Sequence, residues 1–518
     1  MYLFILAFIL VSYVPASTRV RLPGLTGEQS LALRLLRETV AQVEENYVTL
    51  PDLTKAFGAG LDGMQRALGK DRLETSRLDA GRFTLRAGGE EMSVRFGGRG
   101  AEGLPEFERA YRFALSRTQA KPHSKPKKGS DIKVMYAALS ALLGSLDSFS
   151  AFLSPDVYRE MQVETTGRYG GLGITITTRD KKITIVSPIE DTPAYEVGLK
   201  PGDVIAGVNG EPTKGWSLSK AVKKMRGPPG TAVRLDIERS GWPKAKEFIV
   251  VRAIVQIRSV KSRVMNGNIG YVRLTAFHER TSDELDDALS RLRKSGVGAM
   301  VLDLRNNPGG LLRQSVRVAE RFLPDNSMVV FTRGRHRSQT VYFRTDGNGD
   351  WARKPLIVLV NRGSASASEI VAGAMRDLDR ALLIGRKTFG KGSVQTIIPI
   401  SGGAGIRITT AKYYTPLGIE IHGKGILPDI EVGPASRKEK KRGSKAAKKK
   451  SPPPLPKRIN DPAFGEDDEA LQLALRTLRK TKSSVVEVLR LTADRVRSRM
   501  ARRTKGIAQI PEKRDRRP

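Results

Sequence analysis

Apolar positions along the chain recur with two periods, one typical of helices and one typical of strands. A spacing of three to four residues predicts helices at residues 29–47, 53–68, 104–118 and 132–143. A short alternating hairpin at residues 82–95 interrupts them. Further on, apolar runs of strand length alternate with helical stretches at residues 270–275, 299–303, 328–332, 356–360 and 381–384. Because strands that alternate with helices form βα units, this pattern predicts an α/β core with a mostly parallel sheet.

One of these strand-to-helix junctions carries a candidate nucleophile. Ser366 lies between the apolar run 355–360 and a helical stretch at residues 369–377. A serine at the start of a helix lies beside unpaired amides, which stabilise an alkoxide or an oxyanion. Downstream, Lys391 stands between two glycines, which let the backbone pack closely around its amine. A serine needs a neighbouring base, and a lysine can be that base only when burial lowers its pKa. The two residues together predict the Ser–Lys variant of serine catalysis.

The composition excludes several other chemistries. The chain has no cysteine, so it has no thiol nucleophile, no disulfide and no cysteine-ligated zinc site. Its four histidines do not form a metal-binding pair or a run typical of a catalytic triad. We therefore expect no metal and no cofactor. On its own, the serine-rich run 364–368 is more typical of a helix cap, and the glycine-flanked lysine reverses that preference.

At this point several segments resemble a known family, the carboxyl-terminal processing proteases, also called tail-specific proteases. The matching segments include Gly-Ser-Ala-Ser-Ala-Ser-Glu-Ile at 363–370, Phe-Gly-Lys-Gly at 389–392 and Asp-Leu-Arg-Asn-Asn-Pro-Gly-Gly at 303–310. They occur in the family's order, and the resemblance covers roughly residues 33–432. It implies a crotonase-like protease core with an inserted PDZ module.

The resemblance also implies roles for individual residues. Ser366 corresponds to the family's nucleophile and Lys391 to its base. Gln395 and Glu369 are expected to orient the lysine: Gln395 matches a family glutamine that contacts the base, and Glu369 matches an acidic family position. An equally good interpretation of Glu369 is a carboxylate that stabilises the first turn of its own helix.

Paired glycines predict where the oxyanion would bind. Gly309 and Gly310 follow a predicted strand and open a helix, which leaves backbone N–H groups unshielded. A tight turn that needs glycine conformations is the alternative interpretation. Because the family places an oxyanion-hole glycine here, we expect Gly309 or Gly310 to act with the amide of Ala367. The sequence does not choose between the two glycines.

A separate stretch of short strands and turns precedes the protease segments. It resembles a PDZ domain, in which Gly171, Leu172 and Gly173 would bind a peptide's terminal carboxylate through their amides. Ile174 would begin the strand that pairs with the peptide. This module predicts protein or peptide substrates with free C-termini.

Charge is concentrated outside these segments. The net charge is +36, yet the folded part carries no nucleic-acid recognition motif, and we expect no nucleic-acid partner. Lysines, arginines and prolines dominate a low-complexity linker at residues 435–460. After it, the periodic positions Leu471, Leu475 and Leu478 predict a helical C-terminal tail.

The first 18 residues form an apolar run typical of a signal peptide or a membrane anchor. They predict an extracytoplasmic protein of the periplasm or the outer side of the inner membrane. The sequence is compatible with membrane association through this segment and with a homo-oligomer.

The predicted organisation is an α/β multidomain protein with a crotonase-like core, an inserted PDZ domain and helical terminal regions. Its parts are a signal peptide or anchor at 1–18, a helical region at 19–155, the PDZ domain at 160–255, the serine protease core at 256–434, the linker at 435–460 and the helical tail at 461–518. The favoured function is a Ser–Lys endopeptidase that cleaves exported proteins at or near their C-termini. A catalytically idle PDZ scaffold and an acyl-CoA enzyme of the crotonase type are the alternatives.

Overall fold

The computed structural model describes residues 26–97, 100–118, 130–347, 349–432 and 468–480. The predicted signal segment and the basic linker lie outside these residues. Two compact units divide the chain. The first contains Met1–Asp156 and Gln395–Thr409, and the second contains Val157–Val394 and Thr410–Pro518. Within the described part of the chain, none of the helices combines the length and the apolar character that crossing a bilayer requires.

In the described residues before Pro155, the first unit contains four α-helices, a three-stranded antiparallel sheet and one further short strand. In chain order the elements are α1 (Gly27–Asn46), α2 (Leu53–Leu68), β1 (Glu74–Arg77), β2 (Arg82–Ala87), β3 (Glu90–Arg95), α3 (Leu104–Thr118), α4 (Ser130–Gly144) and β4 (Ala151–Leu153). A capping box starts α1, where Thr26 and Gln29 exchange backbone-to-side-chain hydrogen bonds.

The core of the first unit draws on two distant parts of the chain. Phe57 packs against Phe96 and Phe107, with ring centroids 5.2 and 5.5 Å apart. Ala404, Ile406 and Ile408 are buried in this same core. Residues 395–409 therefore complete a hydrophobic core whose other members come from the first third of the chain.

The second unit begins with a small β-rich region. Its elements are α5 (Pro155–Thr166), β5 (Arg168–Gly171), β6 (Ile174–Arg179), β7 (Lys182–Pro188), α6 (Pro193–Glu196), β8 (Val204–Val208), β9 (Glu211–Pro212), α7 (Leu218–Met225), β10 (Ala232–Glu238), β11 (Lys246–Val251) and β12 (Ala253–Gln256). The main sheet has the order β11-β10-β8-β7-β6, and β5 pairs separately with β12. Strand β6 therefore lies at an edge of the main sheet.

The rest of the second unit is an α/β domain. Its elements are β13 (Val260–Met265), β14 (Ile269–Leu274), α8 (Thr281–Lys294), β15 (Ala299–Asp303), α9 (Leu312–Glu320), β16 (Met328–Gly334), β17 (Val341–Arg344), β18 (Leu356–Val360), α10 (Ala367–Asp377), β19 (Leu382–Gly385), β20 (Ser393–Pro399), β21 (Gly405–Tyr414), β22 (Ile430–Glu431) and α11 (Glu469–Lys480). Strands β20 and β21 each contribute residues to both units.

The central sheet has the order β13-β14-β15-β18-β19-β22, and every neighbouring pair except β13–β14 is parallel. The predicted mostly parallel sheet is thus present. The prediction is wrong for one strand. Residues 328–332 lie in β16, which is not part of this sheet and pairs antiparallel with β17 and β21 instead. A short apolar run shows that a strand forms, but not which strand it pairs with. The close sequence neighbour β17 can return beside β16 only in the antiparallel direction.

Helices cover both faces of this sheet. On one face, β14, β15 and β18 pack with residues of α8, α9 and α10. On the other face, Tyr271, Val301 and Leu359 pack with Leu471 and Leu475 of α11. Strand β18 is buried along its whole length because both of its faces are covered. The predicted continuation of the C-terminal helix past residue 480 lies outside the described residues.

Candidate active site

Ser366 occupies a strained position between β18 and α10. Its backbone angles are φ 54° and ψ −115°, a region that non-glycine residues rarely adopt. Hydrogen bonds within the turn hold this conformation: the Ser364 hydroxyl donates to Leu304 O at 2.8 Å, and the Ala365 N–H donates to Asn307 O at 3.0 Å. Such strain costs about 1–3 kcal/mol and persists only where the surroundings fix it. The side chain of Ser366 is thereby presented at the start of α10, with 9% of the residue exposed.

The loop that carries Lys391 passes close to this turn. The Phe389 N–H donates to Ser364 O at 3.0 Å. The two glycines on either side of Lys391 are each required, but for different structural reasons. Gly390 has a φ of 92°, and a Cβ on Gly392 would lie 2.2 Å from His422 N. Both glycines are needed for the loop to reach its position.

Glu369 joins the two segments. Its carboxylate is fully buried and accepts hydrogen bonds at both oxygens. Oε2 accepts from the N–H groups of Ser366 and Lys391, at 2.9 and 2.8 Å. Oε1 accepts from the Gly390 N–H at 2.7 Å and from the Thr388 hydroxyl at 2.5 Å. The carboxylate therefore connects the first turn of α10 to the loop at residues 388–391.

Burial raises the pKa of Glu369, and the four hydrogen bonds it accepts oppose that rise without cancelling it. Thr388 completes this cluster, and the sequence analysis did not single it out. Its hydroxyl also accepts from the Ile426 N–H at 2.7 Å, so the same side chain ties residues 388–391 to a further loop.

The glycine turn predicted to bind an oxyanion lies directly against Ser366. Gly309 has a φ of 98°, and a Cβ placed on it would lie 2.8 Å from Ser366 Cβ and 2.9 Å from Ala367 N. Gly310 has a φ of 146°, and its Cβ would lie 2.3 Å from Phe277 O. Both positions therefore need glycine for the close approach of backbone to backbone.

The hydrogen bonds of the turn distinguish the two glycines. The Gly309 N–H donates to Asn307 Oδ1 at 2.9 Å. Within the residues that the structure describes, the N–H groups of Gly310 and Ala367 donate to no acceptor. Ala367 is the first residue of α10, where a backbone N–H has no partner inside its own helix.

Asn307, which lies in the segment 303–310, connects the glycine turn to the serine turn, and the sequence analysis did not single it out. The residue is fully buried, and its Nδ2 donates to Leu274 O at 2.9 Å. Its backbone carbonyl oxygen accepts from the Ala365 N–H and from the Ser368 hydroxyl, at 3.0 and 2.9 Å. Asn307 therefore fixes the glycine turn and the serine turn to each other.

The candidate peptide-binding loop connects β5 to β6. Gly171 ends β5 and pairs with Ala253 of β12. The carbonyl groups of Leu172 and Gly173 accept from Ala194 and Ile189, whereas their N–H groups donate to no acceptor within the described residues. Ile174 begins β6, whose outer edge pairs with no described strand. The loop thus combines two unpaired amides with the start of an edge strand.

Comparisons with known proteins identify the two domains and the family. Residues 268–432 match Peptidase family S41, and residues 160–238 match the PDZ domain. A carboxy-terminal-processing protease of Bartonella bacilliformis is 45% identical over 306 residues, which are 58% of this chain and 70% of that protein. A carboxyl-terminal-processing protease of Synechocystis is 41% identical over 305 residues, covering 57% of this chain and 70% of that protein.

The chain belongs to the carboxyl-terminal processing proteases. It is a serine-type peptidase that carries a PDZ domain. A solved structure, that of the photosystem II D1 C-terminal processing protease, is similar over 79% of this chain and 94% of that chain, with 28% sequence identity and a TM-score of 0.41.

One residue expected in the site of this processing protease lies in the other unit of the chain. Gln395 is the first residue of the segment that belongs to the first unit. Its Nε2 lies 3.5 Å from the hydroxyl of Thr409, which is in the same unit. The contact of Gln395 with the base therefore stays a prediction from the family resemblance.

Proposed function

We propose that this processing protease cleaves exported proteins at or near their C-termini by a Ser–Lys mechanism. The observation that carries the proposal is the buried carboxylate of Glu369, which accepts from the backbone amides of both Ser366 and Lys391. One acceptor atom shared by the two segments keeps the candidate nucleophile and the candidate base in a fixed mutual position. Preorganisation of this kind is what a two-residue catalytic unit needs.

In the first half of the reaction, Ser366 Oγ attacks the scissile carbonyl carbon while its proton passes to the amine of Lys391. The tetrahedral intermediate collapses, and Lys391 returns the proton to the leaving amine, which leaves an acyl-enzyme. In the second half, Lys391 takes a proton from water as the water oxygen attacks the ester carbonyl carbon. The tetrahedral intermediate collapses, Lys391 returns the proton to Ser366 Oγ, and the carboxylic acid product is released.

The N–H groups of Gly310 and Ala367 would stabilise the oxyanion. Both are unpaired within the described residues, and the Ala367 N–H adds the positive end of α10. We favour Gly310 over Gly309 because Asn307 Oδ1 already accepts from the Gly309 N–H. Gly309 would then be needed for its lack of a side chain beside Ser366.

We assign supporting roles to two further residues. Glu369 holds the backbone of both catalytic segments, and its hydrogen bond from the Ser366 N–H also stabilises the first turn of α10, as the sequence suggested. Gln395 would orient the amine of Lys391, which is four positions earlier in the chain. The family resemblance and this spacing support the assignment.

We propose that the PDZ domain recognises the substrate's C-terminal tail. The amides of Leu172 and Gly173 would bind the terminal carboxylate, and the edge of β6 would add the peptide as a further strand. Gly171 would contribute by permitting the tight approach of the loop to Tyr169, since a Cβ on Gly171 would lie 2.6 Å from that ring.

The domain bounds and the location are part of the same proposal. We assign residues 160–255 to the PDZ domain, since β11 pairs with β10 in its sheet, and residues 256–434 to a crotonase-like protease core. The apolar run at residues 1–18 supports export across the inner membrane, with the mature enzyme outside the cytoplasm.

A cleavage assay tests the central claim. Purified enzyme is incubated with an internally quenched peptide that ends in a free, apolar C-terminus, beside the Ser366→Ala variant. We expect hydrolysis by the wild type and none by the variant. A wild-type protein that binds the peptide and leaves it intact would favour the idle PDZ scaffold instead.

A further inference from the structure

The C-terminal helix α11 contacts the glycine turn of the protease core through one ion pair. Arg305 lies two positions before Asn307, and its guanidinium lies between two carboxylates. Its Nε and Nη2 donate to Asp303, at 2.6–3.0 Å. Its Nη1 and Nη2 donate to the two oxygens of Asp468, both at 2.8 Å. The two edges of the planar guanidinium are thus both occupied, which fixes its orientation as well as its position.

The carboxylate of Asp468 is itself held in place. It caps α11, since Oδ1 accepts from the Leu471 N–H at 3.1 Å and its carbonyl accepts from the Gln472 N–H at 2.8 Å. The helix behind it is anchored by Leu471, Ala474, Leu475 and Leu478, which are buried against the central sheet. Asp468 is therefore a fixed point, although it is 163 positions from Arg305 in sequence.

Asp303 and Asp468 contact Arg305 in different ways. Asp303 is fully buried and already accepts from the side chain and the N–H of Arg305, and from the Tyr271 hydroxyl at 2.7 Å. The charge of Arg273, a buried arginine, also acts on Asp468. The additional pair with Asp468 has a geometric consequence, which is to hold Arg305 from the side opposite Asp303.

The position of Arg305 determines where the glycine turn starts. The next residue, Asn306, has a φ of 57°, and its N–H donates to Asn361 Oδ1 at 2.9 Å. Asn361 in turn begins the serine turn, where its N–H donates to the Ser364 hydroxyl at 3.0 Å. Asn307 then holds Gly309. A shift of Arg305 is therefore transmitted to the amides that face Ser366.

We propose that Asp468 is a positioning residue of the active site, which acts through Arg305 to fix the turn that carries the oxyanion-binding amide. This inference rests on the proposed role of Gly310 and Ala367. It makes the helix that follows the basic linker a part of the catalytic apparatus, even though no residue of α11 contacts the reacting groups.

The test uses the full-length enzyme with Asp468→Ala, Asp468→Asn and the matched control Glu469→Gln, which changes the exposed neighbouring carboxylate. Three quantities are measured at a temperature at which all variants are folded. These are kcat and KM for the quenched peptide, and the affinity for a peptide boronic acid, which forms a tetrahedral adduct with the serine. For Asp468→Ala we expect kcat to fall about tenfold with KM within about twofold, since a small misplacement of a catalytic donor has this effect. The affinity for the boronic acid should fall in parallel. Glu469→Gln should match the wild type in kcat, KM and boronate affinity.

Several outcomes separate the explanations. Asp468→Ala with a lower melting temperature but wild-type kcat and boronate affinity would overturn the proposal and leave Asp468 as an anchor of α11 only. If Asp468→Ala does not fold, Asp468→Asn decides, because the amide retains an oxygen for the helix cap and loses the charged two-point contact. Hydrolysis or boronate binding that survives in Ser366→Ala would instead contradict the proposed function.

Discussion

The backbone N–H groups of Ser366 and Lys391 donate to a single oxygen atom, Oε2 of Glu369. The two segments are thereby fixed to each other through main-chain atoms. Neither side chain takes part in this connection. Substitution of Ser366 or Lys391 should therefore remove the chemistry and leave the arrangement of the two segments in place.

The first prediction follows from that separation. Ser366→Ala and Lys391→Ala should each lower kcat by several orders of magnitude, because the two groups act as one unit. Their melting temperatures should stay close to that of the wild type. Lys387→Ala is the matched control, since Lys387 is exposed in the same loop and should be dispensable. Activity within about tenfold of wild type in either catalytic variant would refute the assignment.

A second prediction concerns Glu369. All four of its partners are donors, three N–H groups and the Thr388 hydroxyl. In Glu369→Gln, the amide NH2 replaces one acceptor oxygen, so either the hydrogen bonds from Ser366 and Lys391 or those from Thr388 and Gly390 are lost. We expect kcat to fall about 100-fold with a smaller change in KM. Steady-state kinetics check this beside Glu279→Gln, an exposed glutamate of the same unit, and equal kinetics for the two variants would contradict it.

The third prediction separates crowding from backbone strain. Gly309→Ala would place a Cβ within 2.9 Å of Ala365 O, Ser366 Cβ and Ala367 N, so we expect activity to fall at least about 100-fold. Gly296 also has a positive φ, 71°, but open space around its Cβ position. Gly296→Ala should lower the free energy of unfolding by about 1–2 kcal/mol and leave kcat unchanged. Similar losses of activity in both variants would show that strain alone is responsible.

Tail recognition gives a fourth prediction. Peptides with a free C-terminus should bind the Ser366→Ala enzyme more tightly than their amidated counterparts. An amidated peptide offers the backbone N–H groups of Leu172 and Gly173 no charged acceptor. Each such hydrogen bond contributes about 1.5–3 kcal/mol, so we expect a difference of at least about tenfold in Kd. Calorimetric titration of matched peptides measures it. Equal affinities would remove carboxylate recognition from the proposed function.

A fifth prediction concerns acid and the ion pair of α11. Burial alone would raise the pKa of Asp468, but the hydrogen bonds and the charge of Arg305 outweigh it and hold that pKa below its usual value. A carboxylate whose pKa is lower in the folded protein stabilises the fold above its unfolded pKa of about 4, and this contribution is lost as the pH falls through the folded pKa. The difference in free energy of unfolding between wild type and Asp468→Asn should thus be largest near neutral pH and shrink below about pH 4. Denaturant titrations at several pH values measure it, and a difference that is constant with pH would contradict the ion pair.

Features of the fold that depend on a local residue pattern could be predicted from the sequence. Strand β18 could be recognised because burial on both faces leaves a continuous apolar run. The partner of β16 could not, since a strand pattern contains no information about its neighbours. The choice between Gly309 and Gly310 depends on a side-chain contact of Asn307, which no motif states. The pairing of Arg305 with Asp468 joins residues that are far apart in sequence, and local periodicity is silent about such pairs.

The hydrophobic core of the first unit has a consequence for biosynthesis. Ala404, Ile406 and Ile408 belong to that core, so the N-terminal region cannot complete it until this late segment has left the ribosome. By then Ser366 and Lys391 have already been synthesised. During translation the early helices therefore carry incomplete apolar surface while the segments with Ser366 and Lys391 emerge, a state that favours binding by chaperones. Residues 395–409 come shortly after Lys391, so the core of the first unit can be completed only once the candidate base has been synthesised.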